Sequence, residues 1–413
     1  MLRFPALVLA CLLPLGAQAA PDTAPRPQAR ITLAQADGST AGLEHWIINF
    51  RARAISKGIE AATLNSVLRN LTYDRDIIRR DRNQSEFTKT IWDYLDTAAS
   101  DLRVKNGQAA LRKHETLLSE IETLYGVDRH IVVAIWGLES SYGAFRGSQP
   151  VIQSLATLAY DGRRGDFFEE QLIAALRILQ TGDTTAQNMT GSWAGAMGHT
   201  QFIPTSYLDY VVDFRGDGAR DIWSDDPTDA LASTAAYLKA FGWTTGQPWG
   251  VEVTLPSDFD YLNANRDIEK LPSVWAEMGV TGTEGRAVPD HGSATILLPG
   301  GASGAAFMIF GNFETLERYN TADAYVIGVG HLADRLRGGP VIQSNWPRDD
   351  RALTGDERRE LQRRLTDAGF DTQGIDARIG PLTINAIRQY QLSIEQTPDG
   401  YAPPRLLERL RQN

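Results

Sequence analysis

The most informative segment of the chain runs from Val127 to Gly147 and reads VDRHIVVAIWGLESSYGAFRG. Asp128 can cap the N-terminus of a helix, and Ile131 to Leu138 is a continuous apolar run. A helix that is apolar on every side is typical of a protein core. The segment therefore predicts a buried central helix that ends near Glu139.

Glu139 is the carboxylate at the end of this apolar run. Burial and the negative end of the helix dipole both disfavour a charged carboxylate, so we expect the pKa of Glu139 to be raised. A carboxylic acid that remains protonated near neutral pH can protonate a glycosidic oxygen as that oxygen leaves. A glutamate that only caps the helix or forms a salt bridge explains the segment equally well, so a catalytic and a structural role both stay open.

The composition limits the class of protein. A chain of 413 residues has room for two or three domains, and 42% hydrophobic residues with nine tryptophans exclude a disordered chain. The formal net charge is -10 and no dense run of Lys and Arg occurs, which argues against a nucleic-acid partner and a membrane-binding face. The composition predicts a folded protein with a large core.

The N-terminus has the features of a signal peptide. Residues 1–19, MLRFPALVLACLLPLGAQA, combine a basic Arg3, an apolar run and a small-residue ending at Ala19. The run is too short for a membrane span, so we expect a periplasmic protein whose mature end is a linker over residues 20–40. Cys11 offers an alternative lipoprotein cleavage site, but apolar residues continue beyond it and the site after Ala19 fits better. With no other cysteine, the mature chain has no disulfide.

Helical periodicity dominates the chain after this linker and predicts a mainly α domain over residues 41–337. Apolar residues recur at helical spacing within 43–68, 110–125, 150–160, 167–179 and 229–241. Short β-like runs broken by Pro and Gly predict a small β insert over 250–312. Residues 338–353 contain Gly-Gly-Pro and Trp-Pro and predict a second linker. Residues 354–413 alternate helix faces with tight turns, which predicts a small helical C-terminal domain.

The second informative segment, Gly191 to Tyr207, reads GSWAGAMGHTQFIPTSY. Its small residues let the backbone approach a ligand closely, and Phe202 supplies a flat apolar face for a sugar ring. Ser192 and Gln201 can hold sugar hydroxyl and N-acetyl groups without adding charge. His199 is a candidate base, but a lone histidine without partners at ligand spacing favours a structural role. The segment indicates a carbohydrate-binding surface.

Two loops leave alternatives open. Arg163 and Arg164, in the loop DGRRGD, can hold a carboxylate or an acetamido-lactyl sugar, or can be solvated. The loop that starts at Asp213, DFRGDGARDIWS, has calcium-loop spacing, but Arg215 stands at position three and Ser224 at position twelve. A glycine turn capped by aspartates explains this loop better, so the sequence predicts no metal site.

Taken together, AIWGLESSYG, GSWAGAMGHTQFIPTSY and DFRGDG resemble the bacterial membrane-bound lytic murein transglycosylase B family. The resemblance covers about residues 43–336 and implies a lysozyme-like fold that cleaves peptidoglycan glycan strands. Residues 356–411, with LQ, GF, GPLT and YQ at the expected places, resemble the peptidoglycan-binding domain of many wall enzymes. We therefore expect a mainly α, lysozyme-like catalytic domain with a small β insert and a helical peptidoglycan-binding domain.

The resemblance also assigns roles to single residues. It implies that Glu139 is the catalytic acid, and Tyr94 loosely matches a cleft tyrosine. The residues that it places at the sugar cleft are Ser192, Gln201, Phe202, Tyr237, Tyr319 and Asn320, with Arg163 and Arg164 near it. The implied reaction needs no metal or organic cofactor. The implied partner is the glycan strand, wall-synthesis proteins are candidate partners, and we expect a monomer.

The number of carboxylates distinguishes this reaction from its rivals. An ordinary glycosidase uses two carboxylates, whereas these motifs offer one. In the implied reaction the single acid serves twice, because the MurNAc C6 hydroxyl attacks its own C1 and replaces an activated water. A hydrolytic muramidase would need a second carboxylate. A non-catalytic wall-binding protein, with Glu139 merely structural, is the remaining alternative.

Overall fold

The computed structural model describes residues 37–82 and 89–412. The predicted signal peptide, Cys11 and most of the predicted linker over 20–40 lie outside these ranges. Within them the structure is mainly helical with small sheets, which confirms the predicted fold class. None of the described helices combines the length and the apolar character that crossing a membrane requires.

Most of the described helices belong to one large helical region. Up to the β-rich insert they are α1 (Thr40–Ser56), α2 (Ala61–Val67), α3 (Arg75–Arg82), α4 (Ile91–Ala98), α5 (Asp101–Lys113), α6 (Glu115–Tyr125), α7 (Arg129–Ser140), α8 (Val151–Asp161), α9 (Gly165–Thr181), α10 (Pro204–Tyr210) and α11 (Thr228–Ala240). The strands β1 (Gln149–Pro150) and β2 (Thr190–Gly191) pair antiparallel within this region. The pairing joins the start of α8 to the segment that precedes α10.

Polar residues fix where several of these helices begin. The side chains of Ser39, Thr90 and Ser100 accept hydrogen bonds from first-turn N–H groups of α1, α4 and α5. Asp128 does the same for α7 by accepting from the His130 N–H at 2.8 Å, as its position in the sequence predicts. These helix starts are therefore specified locally.

A four-stranded antiparallel sheet interrupts the helical region and confirms the predicted β insert. Its strands are β3 (Gly250–Thr254), β4 (Thr281–Gly282), β5 (Thr295–Leu297) and β6 (Ala306–Ile309), in the order β4-β3-β6-β5. The helix α12 (Pro272–Glu277) buries Trp275 completely in a hydrophobic cluster with Val253, Ile296 and Met308. The insert thus has a small core of its own.

Two helices, α13 (Gly311–Glu317) and α14 (Asp323–Leu336), return the chain to the helical region. α14 packs directly against α7, and α5, α6 and α11 surround α7 on its other sides. The side chains from Ile131 to Trp136 are buried, which confirms the central helix predicted from the apolar run. The apolar periodicity of the sequence does not identify α13.

The C-terminal residues form a unit of three helices with its own hydrophobic cluster. The helices are α15 (Gly355–Asp367), α16 (Pro381–Ser393) and α17 (Pro404–Gln412). A reciprocal pair of hydrogen bonds between Thr354 and Glu357 caps α15. Leu361, Ile387 and Leu407 are fully or almost fully buried at the centre of the cluster.

Contacts fix this unit and the preceding segment against the rest of the protein. The Arg388 guanidinium donates to the backbone oxygen of Ala264, and Asp399 Oδ2 accepts from the Ala302 N–H at 2.9 Å. Trp346, in the segment that the sequence predicts as a linker, lies with its ring centroid 6.0 Å from that of Trp92. The C-terminal unit is therefore docked on the insert.

Candidate active site

Glu139 lies in the last turn of α7, where the chain leaves the core. The residues before it are buried, whereas Glu139 itself is only partly buried. The chain turns sharply after Ser140, because Ser141 and Tyr142 both adopt positive φ, at 51° and 61°. Gly137 makes room for this turn, since a Cβ there would lie 2.7 Å from the Tyr142 ring. The carboxyl group thus stands at the boundary between the core and the surface.

Tyr325, two residues into α14, is a hydrogen-bond partner of this acid. Its hydroxyl donates to Glu139 Oε1 at 2.6 Å. Burial raises the pKa of Tyr325 well above its ordinary value, and the charge of Glu139 raises it further. The hydroxyl therefore stays protonated and remains a donor when Glu139 is ionised. Sequence reasoning assigned no functional role to Tyr325.

Tyr319 and Tyr94 lie in the same neighbourhood. Burial raises the pKa of Tyr319, with Glu139 as the next contribution, and its hydroxyl donates to the Thr200 carbonyl at 2.6 Å. Tyr94 is close enough to Tyr325 to contribute to that residue's raised pKa, and its ring lies 2.8 Å from where a Cβ on Gly328 would be. Tyr325 and Tyr319 therefore lie near Glu139, and Tyr94 lies near Tyr325.

Three of the predicted cleft residues form one aromatic cluster. The ring centroids of Phe202 and Tyr237 lie 5.9 Å apart, those of Phe202 and Tyr319 5.9 Å, and those of Tyr237 and Tyr319 5.2 Å. The Tyr237 hydroxyl donates to the Arg318 carbonyl at 2.6 Å. Phe202 is buried and its ring contacts both tyrosine rings, so it supports them. Asn320, next to Tyr319, is exposed, and its side chain accepts from the Ala322 N–H at 3.1 Å.

Ser192 and Gln201 hold the shape of the loop between β2 and α10. Ser192 Oγ accepts from the N–H groups of Ala194 and Ala196 at 3.3 and 3.1 Å, which leaves its hydroxyl proton for a ligand. Gln201 has a φ of 54° and donates through Nε2 to the carbonyls of Arg146 and Gly198 at 3.0 and 2.8 Å. The glutamine amide therefore ties this loop to the turn that follows Glu139.

The glycines of this loop admit other backbone segments. A Cβ on Gly191 would lie 2.1 Å from the Ala196 oxygen, and one on Gly198 would lie 2.3 Å from the Ile222 oxygen. Both distances are far below van der Waals contact. The sequence interpretation, that small residues here let the backbone approach a ligand, misses this use in packing the loop on itself and on Ile222.

His199 bridges the loop and α7. Its Nδ1 accepts from the Trp136 indole N–H at 3.1 Å, and its Nε2 donates to the Ser224 carbonyl at 2.7 Å. Burial lowers the pKa of His199, which keeps the ring neutral. The His199 carbonyl in turn accepts from Ser140 Oγ at 2.5 Å. These contacts give His199 a structural role, the one that the sequence favours.

Arg163 and Arg164 lie on the connection between α8 and α9. Arg163 pairs with Asp81, whose side chain is almost completely buried, through an Nε–Oδ2 contact of 2.6 Å and a second contact to Oδ1. The Arg164 guanidinium lies over the rings of Phe167 and Phe168, 5.0 and 4.8 Å from their centroids. The structure thus engages both arginines in contacts within the protein, and a role in substrate binding stays a prediction.

The loop at Asp213 is organised by its own backbone. Asp213 accepts from the N–H groups of Gly216, Asp217 and Gly218 at 2.6, 3.1 and 2.8 Å. These bonds lower the pKa of the Asp213 carboxyl, the bond from Gly218 most of all. Arg215 points away and pairs with Glu120 at 2.6 Å. This is the arrangement of a glycine turn capped by an aspartate.

Comparisons with known proteins agree on one family. Residues 42–334 match the family described as "Transglycosylase SLT domain", and residues 354–410 match "Putative peptidoglycan binding domain". The chain is 34% identical to the membrane-bound lytic murein transglycosylase B of Escherichia coli K12 over 240 residues, which are 56% of this chain. That match spans 63% of the length of this curated relative.

Two solved structures are similar over most of the described residues. SltB3 of Pseudomonas aeruginosa, in complex with NAG-anhNAM-pentapeptide, is 49% identical with a TM-score of 0.86, and the match covers 89% of this chain and 99% of that chain. The soluble lytic transglycosylase SltB1 of the same organism is 30% identical with a TM-score of 0.63, covering 71% of this chain and 100% of that chain.

Proposed function

The chain belongs to the transglycosylase SLT family, and we propose that it is a lytic transglycosylase that cleaves the β-1,4 bond between MurNAc and GlcNAc in peptidoglycan. The observation that carries the proposal is the position of Glu139, which ends a buried helix and has the Tyr325 hydroxyl 2.6 Å from its Oε1. Cleavage leaves a 1,6-anhydroMurNAc end. The biological role is remodelling and turnover of the cell wall.

The reaction uses Glu139 first as an acid and then as a base. Its proton passes to the bridging oxygen, the bond between that oxygen and C1 of MurNAc breaks, and GlcNAc leaves with a free hydroxyl. The MurNAc C6 hydroxyl then bonds to C1 and gives its proton to the Glu139 carboxylate, which restores the acid. Because this attack is intramolecular, proximity replaces an activated water. The Tyr325 hydroxyl stabilises the carboxylate that exists between the two steps.

The residues near Glu139 suit an uncharged sugar strand. We assign substrate contacts to Ser192, Gln201, Phe202, Tyr237, Tyr319, Asn320, Arg163 and Arg164. Two hydrogen bonds support this assignment. The Gln201 amide bonds to the Arg146 carbonyl in the turn after α7, and the Tyr319 hydroxyl bonds to the Thr200 carbonyl in the loop of Ser192. The two arginines are supported only by the resemblance to the family and by their capacity to bind carboxylates.

The remaining parts of the chain fit an enzyme of the cell wall. We propose that residues 1–19 direct export to the periplasm, that 41–337 form the catalytic domain and that 354–413 bind peptidoglycan. The match of residues 354–410 to a peptidoglycan-binding family supports the last assignment. A monomeric state and contacts with wall-synthesis proteins stay predictions.

The decisive experiment is digestion of purified sacculi by the unmodified protein and by the Glu139→Gln variant, with products identified by mass spectrometry. Glutamine keeps the shape of the side chain but has no proton to donate, so we expect anhydro products from the unmodified protein and none from the variant. The matched control is Glu169→Gln, which removes a surface carboxylate that pairs with Arg53. Products heavier by one water would show a hydrolytic muramidase. Undiminished cleavage by Glu139→Gln would show that Glu139 is not the catalytic acid.

A further inference from the structure

A single guanidinium, that of Arg266, bridges the two ends of the connection between α13 and α14. Its Nη1 donates to Glu317 Oε1 at 2.6 Å, and its Nη2 donates to Asp323 Oδ1 at 2.6 Å. Glu317 is the last residue of α13, and Asp323 is the first residue of α14. Arg266 therefore sets the separation between the end of one helix and the start of the next.

The bridged connection carries residues of the candidate active site. Tyr319 lies within it and donates to the Thr200 carbonyl, while the Arg318 carbonyl accepts from Tyr237. Tyr325 follows Asp323 by two residues and donates to Glu139. Because a short connection transmits any change in the separation of its ends, the position of Arg266 affects where both tyrosine hydroxyls lie relative to the acid.

Arg266 is itself held firmly in the β insert. Its guanidinium also lies over the ring of Phe313 in α13, 5.0 Å from the centroid, which is a further contact between the insert and the bridged helices. The turn around it is closed by hydrogen bonds from the N–H groups of Asp267 and Ile268 to Asn265, at 3.1 and 3.0 Å. Ala264, two residues earlier, is buried in the core of the insert. The insert thus supplies a fixed anchor to a connection that lies outside it.

The charges of the three groups depend on one another. The side chains are 31% exposed for Arg266, 21% for Glu317 and 38% for Asp323. Burial raises the pKa of both carboxyl groups, and Arg266 opposes that effect at each of them. Without the guanidinium, two partly buried carboxylates would repel each other across the connection. A lysine cannot replace it fully, because an ammonium group is a compact charge and lacks the planar fork that reaches two acceptors.

We propose that Arg266 is a positioning residue for the cleavage reaction, which holds the connection between α13 and α14 so that Tyr325 stays bonded to Glu139. The proposal rests on the proposed function, since it concerns the same acid. It gives the β insert a part in catalysis, as the support of the connection rather than as a surface that touches the glycan.

The first test compares Arg266→Lys with the matched control Arg53→Lys. Arg53 also binds a carboxylate through two contacts, to Glu169 at 2.7 Å each, and also lies over aromatic rings. With soluble glycan fragments, we expect kcat of Arg266→Lys to fall about tenfold or more, as the weakening of one charge-assisted hydrogen bond predicts. KM should change much less, and Arg53→Lys should keep kcat. Equal effects of the two variants on kcat would overturn the proposal.

The second test asks whether Arg266 acts through Tyr325. If it does, the double variant Arg266→Lys/Tyr325→Phe has about the same kcat as Tyr325→Phe alone. A triple variant with Arg266→Gln, Glu317→Gln and Asp323→Asn removes the charges that would be left unpaired. Its kcat should stay low, because the bridge is still missing. Full additivity in the double variant, or recovery of kcat in the triple variant, would contradict a positioning role.

A third measurement does not need cleavage. In protein labelled with carbon-13 at glutamate carboxyls, the NMR titration of Glu139 should move to higher pH in Arg266→Lys and in Tyr325→Phe, because each change weakens the donor to the ionised form. The Glu139→Gln variant identifies the signal. If the titration of Glu139 is the same in Arg266→Lys as in the unmodified protein, the positioning role of Arg266 is wrong. If the unmodified protein cleaves no glycan, the proposed function is wrong, but the NMR titration still tests whether Arg266 acts on Glu139.

Discussion

Replacing Tyr325 with phenylalanine removes one hydroxyl and retains the ring. The lost contact is the 2.6 Å hydrogen bond from Tyr325 to Glu139 Oε1. In the proposed reaction the Glu139 carboxyl loses its proton in the transition state, so this bond should become stronger as the reaction proceeds. A hydrogen bond to a charged group contributes about 1.5–3 kcal/mol. The expected loss in kcat is therefore about 10- to 150-fold, at about 1.4 kcal/mol for each factor of ten.

The pH dependence of the reaction gives a second consequence of this substitution. A hydroxyl that donates to a carboxylate favours its charged form, so the loss of Tyr325 Oη favours the protonated acid. In a profile of kcat against pH, the limb at which activity falls with rising pH should move to higher pH. A steady-state assay on soluble glycan fragments, carried out over a range of pH values, measures both the loss in kcat and this movement.

Tyr207→Phe is the matched control for this prediction. Tyr207 is buried like Tyr325, and its hydroxyl donates to the Arg220 carbonyl at 2.6 Å, so the same chemical change is made away from Glu139. Both variants should lose about 1–2 kcal/mol of unfolding free energy, because each removes the hydroxyl that donates to a partly buried acceptor. Only Tyr325→Phe should change kcat by tenfold or more. If both variants keep kcat and the same pH profile, the Tyr325 bond has no part in the reaction.

Three further predictions concern stability and wall binding. Burial lowers the pKa of His331 to about 4, so between pH 7 and pH 4 the unfolded chain takes up a proton there that the native protein does not. The free energy of unfolding should therefore fall by about 3 kcal/mol over this range. Denaturant titrations of His331→Leu should lack this contribution to the decline. Asp128→Ala removes the N-cap of α7 and should lower the unfolding free energy by about 1–2 kcal/mol, so an unchanged melting temperature would count against the cap. Deletion of residues 340–413 should weaken co-sedimentation with purified sacculi while cleavage of short soluble glycans persists, and equal co-sedimentation would argue against a binding role for the C-terminal unit.

The sequence predicts the parts of this protein that local patterns specify. The apolar run after Asp128 can only be satisfied in a core, and the structure places it there with Glu139 at its end. The alternation of short apolar runs with Pro and Gly identifies the β insert, because a strand pattern and a helix pattern differ in period. α13 is missed because its seven residues are too few to establish a helical period.

Local sequence patterns specify the candidate active site only in part. Phe202, Tyr237 and Tyr319 are far apart in the sequence, and their common cluster could be expected only from resemblance to a family. The polar groups of Ser192 and Gln201 look free for a ligand in the sequence, yet in the structure they also close their own loop. The residue type does not show which hydrogen-bond partner a side chain has, because backbone groups three to five residues away compete with any ligand.

Local periodicity and capping residues by themselves determine a buried helix that carries a lone glutamate to the surface. Only the tertiary structure decides that the hydroxyl of Tyr325, 186 residues further along the chain, meets that glutamate. It also decides that Arg266 of the insert holds the connection before α14. The physical reason is that helical pattern depends on neighbours within two turns, whereas a hydrogen bond between distant residues depends on how whole elements pack.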